Sequence, residues 1–444
     1  MWWLLACAAS VDEVRMAQLR DVLVADNQIW LVRDPEQVEE KYDRMAEDPY
    51  DFLRGTAALY YQDLQRPNPE RASTEFQTDP RSFGLLVIGD PHPENFGTLL
   101  PGNDTRTGPS IEVVDLDAGG YGSWLYDLRR SIVGMQVFTW KMKGCGDDCR
   151  EALARVQAEA YVAELREPGF VPSDPAWGGI VLRLLQESWT EGRLNRRMEE
   201  EVEAGHLVRE GIDHGEGTRA LTPEEEAQLQ ALTAGRSYRV LDAVRRYGTG
   251  VASFAAIRYT VLADTGSSGP EDDVLLNLRE VVDPPLLPRV GTQLFDSPSD
   301  RLVQLSQHLW TRPDADSWLD GMDYGSISFK QGSISGWTHN FDHDDMADLW
   351  EQHLIGQEDL EGLAAFLGTA LAGCHLRGGS LDGSPPLDIL EGEIGGREEL
   401  FVEERLRDAR LDALQLESDY ALFQLALDRY GSLLGAEAAA DFPR

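Results

Sequence analysis

Asp90, His92, Asn95, Asp115 and Asp117 crowd into one stretch of the chain, and their types and spacing suit chemistry on a phosphate. Leu85-Leu86-Val87-Ile88 reads as a buried strand that Gly89-Asp90-Pro91 breaks. Asp90 is thus expected at a strand end, where a carboxylate faces a cleft, and Asn95 brings an amide oxygen to the same loop. A second apolar run, Ile111-Glu112-Val113-Val114, ends in Asp115, with Asp117 two residues on. Strand-end carboxylates and an amide make a hard-oxygen set of the kind magnesium takes beside water and substrate phosphates. Turn chemistry alone also enriches loops in Asp, Asn and Pro, and Asp117 and Asp127 could simply cap helices. The doubling of the pattern, each half behind a strand, favours the metal reading. His92 by itself reads as a loop-ordering hydrogen-bond group.

Kinase-like enzymes use this grammar: one Asp accepts the proton of the attacking hydroxyl, an Asn holds metal, and a later Asp holds metal bridging the phosphates. Asp90, Asn95 and Asp115 would fill those roles, with Asp117 beside them as a further metal ligand. The wording resembles the aminoglycoside-phosphotransferase branch, H-G-D-x-H-x-x-N and then I-D-F-D-x-A. Across residues 45–380, DPYDFLRGTAALYYQDL (48–64), GTGVASFAAIRYTVL (248–262), LLNLREV (275–281) and LAGCHLRGG (371–379) also fall in order. That order resembles the domain-of-unknown-function family 2252, whose pattern includes F-L-R-G, G-D-x-H-x-x-N-F-G, W-x-x-D-x-x-R and a K-E-A strand. The resemblance implies a protein-kinase-like fold and leaves the reaction open.

The order of parts departs from ordinary kinases, whose Gly-rich loop and phosphate-gripping Lys come first. Here the Gly-rich candidate, Gly248 and Gly250 in Tyr247-Gly248-Thr249-Gly250, follows the catalytic motif and precedes the alternating runs 257–262 and 274–280 about the polar turn 266–270. Two strands about a turn could lay backbone amides over phosphates, though G-x-G can equally mark only a hairpin entry. The fold expected is therefore α+β, two-lobed, circularly permuted and mostly helical, with a small antiparallel β-rich lobe. Where the family shows Lys, this chain has Arg279, and Lys330 stands where the family shows R-Q. The forty Lys and Arg include only four Lys, so general drift explains the exchange as readily as function. Arg279 is taken as the principal phosphate contact, because Glu280 follows it as the family's acid follows its Lys. Arg is not a neutral replacement there, being forked where Lys is a point charge.

A formal charge of −38 on 444 residues argues against nucleic acid and anionic membrane as partners and favours a basic small molecule. No stretch approaches membrane-spanning length. Met1 to Cys7 ends like a bacterial lipoprotein signal, though short and without a basic start. ATP use implies the cytoplasm; export through Cys7 is the alternative. Cys145 and Cys149 could close a small disulfide loop, and Cys374 reads as packed rather than reactive. Trp310, Trp318 and Trp337 read as core or pocket rim.

Helices are expected over 11–24, 36–46, 57–64, 123–143, 150–166, 178–204, 222–246, 345–378 and 398–436, the last two separated by a Gly/Pro-rich join. The organisation expected is 1–47 tail and helices, 48–246 catalytic-loop lobe, 247–340 β-rich nucleotide-covering lobe, and 341–444 closing helices. The function expected is transfer of phosphate from Mg-ATP to a small molecule or protein hydroxyl. The alternatives are a nucleotide-binding pseudokinase and a metal-dependent phosphoesterase with His92 as a ligand.

Overall fold

The computed structural model describes residues 11–65, 74–266, 273–284 and 294–436. The readings placed on 1–7, on the 66–69 break and on the turn at 267–270 lie outside these residues. The fold is mixed α+β, about 54% helical, with an antiparallel sheet.

Helices α1 (Val11–Asp26), α2 (Gln28–Arg33), α3 (Pro35–Glu47), α4 (Pro49–Gly55) and α5 (Ala57–Gln65) open the described chain. Short strands follow: β1 (Leu85–Val87), β2 (Phe96–Leu99), β3 (Ser110–Val113) and β4 (Gly120–Gly122). Then come α6 (Trp124–Phe138), α7 (Asp147–Arg166), α8 (Gly179–Arg193) and α9 (Arg196–Glu201). Strands β5 (Val202–Glu203), β6 (His206–Leu207), β7 (Gly211–Asp213) and β8 (Glu216–Ala220) lead to α10 (Pro223–Thr233). The long strands are β9 (Arg239–Tyr247), β10 (Arg258–Asp264) and β11 (Val274–Val281); after α11 (Pro298–Leu309) come β12 (Asp320–Tyr324) and β13 (Ile327–Ile334). Helices α12 (His343–Glu351), α13 (Gln357–Gly378), α14 (Pro386–Ile394) and α15 (Glu398–Tyr430) complete it.

Apolar residues on α6, α7, α13 and α15 share one large core with α1, α3 and α4. Helix α6 starts because Ser123 caps it, its hydroxyl accepting from Tyr126 N. It is buried almost all round, which places it at the centre of this core. The disulfide between Cys145 and Cys149 ties the start of α7. Cys374 is packed in α13, and burial pushes its thiol up to about 12. Trp310 and Trp337 are buried, the first donating its indole N–H to Val113 O at 2.7 Å.

The sheet runs β12-β13-β11-β10-β9-β8-β7, antiparallel throughout. Strand alternation gives it two different faces. Leu276, Leu278, Tyr259, Val261 and Phe329 turn to α10, where Leu229 and Leu232 cover them. On the other face Leu262, Leu275 and Val244 are packed by Leu207, Met198 and Val202 at one end. Register brings Arg258, Arg279 and Lys330 abreast at the other end.

Three helix expectations and one join need correction. The helix over 222–246 starts as expected, with a Thr222–Glu225 capping box and Pro223 in its first turn, but stops at Thr233. Gly235, at φ +76°, turns the chain, and 239–247 pairs as β9. Its Leu, Ala and Arg favour helix, yet two partner strands outweigh that small propensity. The 178–204 helix breaks at Asn195 (φ 49°) and gives way to β5; the 345–378 helix breaks near His353 (φ 57°). The Gly/Pro-rich join holds α14.

Candidate functional site

Two small strand pairs bring the two motifs together. Strand β1 pairs with β4, and β2 with β3. The loop 88–95 and the turn 114–119 therefore leave adjacent strand ends side by side. Gly89, at φ +88°, permits their close approach: a Cβ there would lie 2.1 Å from the Ala118 carbonyl oxygen.

Asp127, fully buried on α6, fixes the strand end by accepting from Ile88 N at 2.8 Å and Gly89 N at 2.7 Å. His375 Nε2 approaches the same carboxylate at 3.0 Å, and its Nδ1 meets the Tyr161 hydroxyl at 2.8 Å. Asp127→Ala strands two backbone N–H groups and the imidazole in the core. It should cost about 3 kcal/mol, read as a lower urea midpoint at unchanged slope. Asp127→Asn, which keeps one acceptor oxygen, should cost less.

Asp90 follows directly. It is 7% exposed, and its Oδ1 accepts from Arg130 Nε at 2.6 Å. Burial pushes its carboxyl up, against the pull of Arg130. His92 lies behind it, with Nε2 3.8 Å from Asp90 Oδ2 and Nδ1 3.2 Å from the Tyr50 hydroxyl. Burial, with Arg54 and Arg130 nearby, holds the imidazole neutral. The loop-ordering reading of His92 fits this geometry.

Asn95 stitches the two motifs. Its Nδ2 donates to Asp90 O at 2.7 Å, and its own carbonyl accepts Val114 N at 2.9 Å. With the amide nitrogen committed, Oδ1 is the atom left to bind a ligand. Asp115 is the most open of the acids, its side chain 37% exposed. Burial pushes its carboxyl up, but Arg279 and Lys330 outweigh that and hold it at about 2. Asp117, expected as a metal ligand, gives both oxygens to the Arg279 fork, each at 2.6 Å.

The opposite wall is the cationic end of the sheet. Arg279 is buried, while Lys330 beside it is half-buried and, among the described residues, makes no hydrogen bond or close ion pair. Burial and the neighbouring Arg279 pull its ammonium below the usual lysine range. Arg258 donates to Thr249 O at 3.0 Å and Ser253 Oγ at 3.2 Å; Arg279 donates to the same hydroxyl at 3.2 Å. The Gly-rich turn is thereby folded over the cations. Gly248 and Gly250 both adopt positive φ, +74° and +73°. Gly248 is also required by packing, since a Cβ would strike Glu216. Glu280 turns away from the cleft to pair with Arg33, 2.8 Å from its Nη1.

Arg130, Asp127, Arg258 and Ser253 are the functional-site residues that reading the motifs alone leaves out. A signal existed for the first two: Trp124, Asp127 and Arg130 follow W-x-x-D-x-x-R, which puts the acid and the base one turn apart on α6. Arg258 is found only through strand register. A second acidic group, Asp48, His343 and Asp344, already holds a cation, the Lys141 ammonium that bonds both Asp48 and Asp344.

A family model described as "Uncharacterized protein conserved in bacteria (DUF2252)" matches residues 33–208 and 217–426. No curated protein and no solved structure matches the chain.

Proposed function

The chain belongs to that family of uncharacterised bacterial proteins, and from this premise and the site geometry we propose that it is a kinase-like phosphotransferase using Mg-ATP. The observation that carries the reading is the opposition of Asp90, Asn95 and Asp115 to three cations abreast, Arg258, Arg279 and Lys330. One wall supplies a base and hard oxygen donors, the other positive charge for phosphate oxygens. The small-lobe arrangement also fits. Protein kinases put a Gly-rich loop over the phosphates, a Lys on the third strand and a helix after it. Here Gly248 and Gly250 lie between β9 and β10, Arg279 lies on β11, and α11 follows. That lobe comes after the catalytic motif, the order of a circular permutation.

Asn95 Oδ1 and the Asp115 carboxylate fit magnesium, being oxygen donors, partly open and, for Asp115, ionised at any physiological pH. Bound there, the ion would neutralise charge on the phosphate oxygens. Asp90 accepts the proton of the acceptor hydroxyl as its oxygen bonds to the γ-phosphorus; the bond to the β-phosphate oxygen breaks, and ADP leaves. Lys330 and Arg279 offset the negative charge on the transferring group.

Calorimetric titration with ATP tests the reading: binding is expected with Mg²⁺ and weak without it, and no heat in either case would sink it. Asp115→Ala should weaken Mg-ATP binding by roughly 10–100-fold. One observation favours a binder without transfer, namely the tight Arg130 clamp on Asp90. Single-turnover assay with a panel of alcohols separates the two. His92, buried and turned to Tyr50, lends no support to a phosphoesterase.

A further inference from the structure

We propose that the cavity between the N-terminal helices and the 117–118 turn is the acceptor pocket of this site, taking a compact, apolar-bodied amine that carries a hydroxyl. This rests on the phosphotransfer reading. The cavity holds about 270 Å³, and its walls include Ile29, Trp30, Ala58 and Val282. Its size and apolar walls suit a small organic molecule and match a polyhydroxylated sugar poorly.

The pocket joins the chemistry at one end. Asp117 and Ser253 line it, the first two residues from Asp115 and the second folded over the cations. Tyr61, also lining it, donates its hydroxyl to the Gly89 carbonyl, one residue before Asp90. A ligand seated there lies beside the turn that carries Asp117 and against the tyrosine that holds the catalytic loop.

The charge of the pocket gives the ligand class. Arg54, Asp117 and Glu280 line it but are neutralised, the first by Asp51 and Glu94 and the acids by Arg279 and Arg33. Asp26 also lines it and, among the described residues, has no hydrogen bond or ion pair. Lys41, whose charge pulls the Asp26 carboxyl down against burial, gives its hydrogen bonds elsewhere, to Asn27 Oδ1 at 2.7 Å and Ala252 O at 3.0 Å. Asp283, also in the wall, pairs among the described residues with Arg301 Nε, at 3.4 Å. A carboxylate with no hydrogen-bond donor of its own calls for an ammonium. The strongly negative chain steers cations to such a site.

Calorimetry on the full chain with 2-amino-1-phenylethanol, 1-phenylethanol and mandelate tests this, with Mg-ATP titrated into the same preparations. The amine is expected to bind at least tenfold more tightly than the neutral alcohol, and mandelate not at all. Asp26→Asn should erase the preference for the amine, and Ala58→Phe, which fills the cavity, should abolish binding while Mg-ATP still binds. Equal binding of the three probes overturns the proposal, as does amine binding that survives Ala58→Phe. A chain that binds Mg-ATP but not the amine also overturns it. A chain that binds the amine but no nucleotide overturns the phosphotransfer reading and supports the cation pocket.

Discussion

Asp90→Asn is expected to lower turnover by roughly 10²–10⁴-fold while Mg-ATP affinity stays within about twofold. The substitution keeps the shape of the side chain and an oxygen for Arg130, and removes the charge and with it the ability to take a proton. Binding persists because the oxygens expected to meet metal and phosphate belong to Asn95 and Asp115, and the cations belong to the sheet. Arg130 sharpens the test. Burial raises the Asp90 carboxyl and Arg130 pulls it back, so turnover should rise with pH through a value above the ordinary aspartate range. Arg130→Met removes the downward pull, and the acid limb of the pH–rate profile should move to higher pH. A residue that only filled space would lower the rate without moving that limb. If Asp90→Asn turns over as fast as the parent chain, Asp90 is not the base.

The motifs were legible because their signals are local. Apolar runs at 85–88 and 111–114, each closed by a strand breaker or an acid, were enough to place Asp90, Asn95 and Asp115 on neighbouring loops. The alternation in 257–262 and 274–280 was enough to place β10 and β11. What failed to show was what depends on distant partners. Arg239 to Tyr247 has the composition of a helix and becomes strand only because β8 and β10 flank it. Strand β12, Asp-Gly-Met-Asp-Tyr, shows too little apolar alternation to register. Asp117 and Arg279 are 162 positions apart, and no spacing rule joins them. Likewise the acceptor pocket draws walls from α1, α2 and α5, read from sequence only as helices.

Lys330→Ala is expected to weaken Mg-ATP binding by roughly ten- to a hundredfold, the worth of one hydrogen-bonded contact to a charged group, with little change in thermal stability. Arg279→Ala should do the reverse and damage the fold first. This exchanges the roles that sequence order favours, and the reason is geometric. Both arms of the Arg279 fork are already spent on Asp117, whereas Lys330 stands in the same row with no hydrogen bond or close ion pair among the described residues. A phosphate would have to break two short charge-assisted bonds to win Arg279 and none to win Lys330. Removing Arg279 leaves two neighbouring half-buried carboxylates without their counter-ion, a loss on the order of 1.5–3 kcal/mol. The pH dependence separates the two as well. Asp115 is held at about 2, below its unfolded value near 3.9. Its contribution is therefore present above that unfolded value and lost as pH falls towards 2. In Arg279→Ala that acid-side loss should shrink, because less of the contribution is there to lose, while Lys330→Ala should keep most of it. Should Arg279→Ala instead fold normally and lose nucleotide, Arg279 grips the phosphate and Asp117 merely holds it until nucleotide binds.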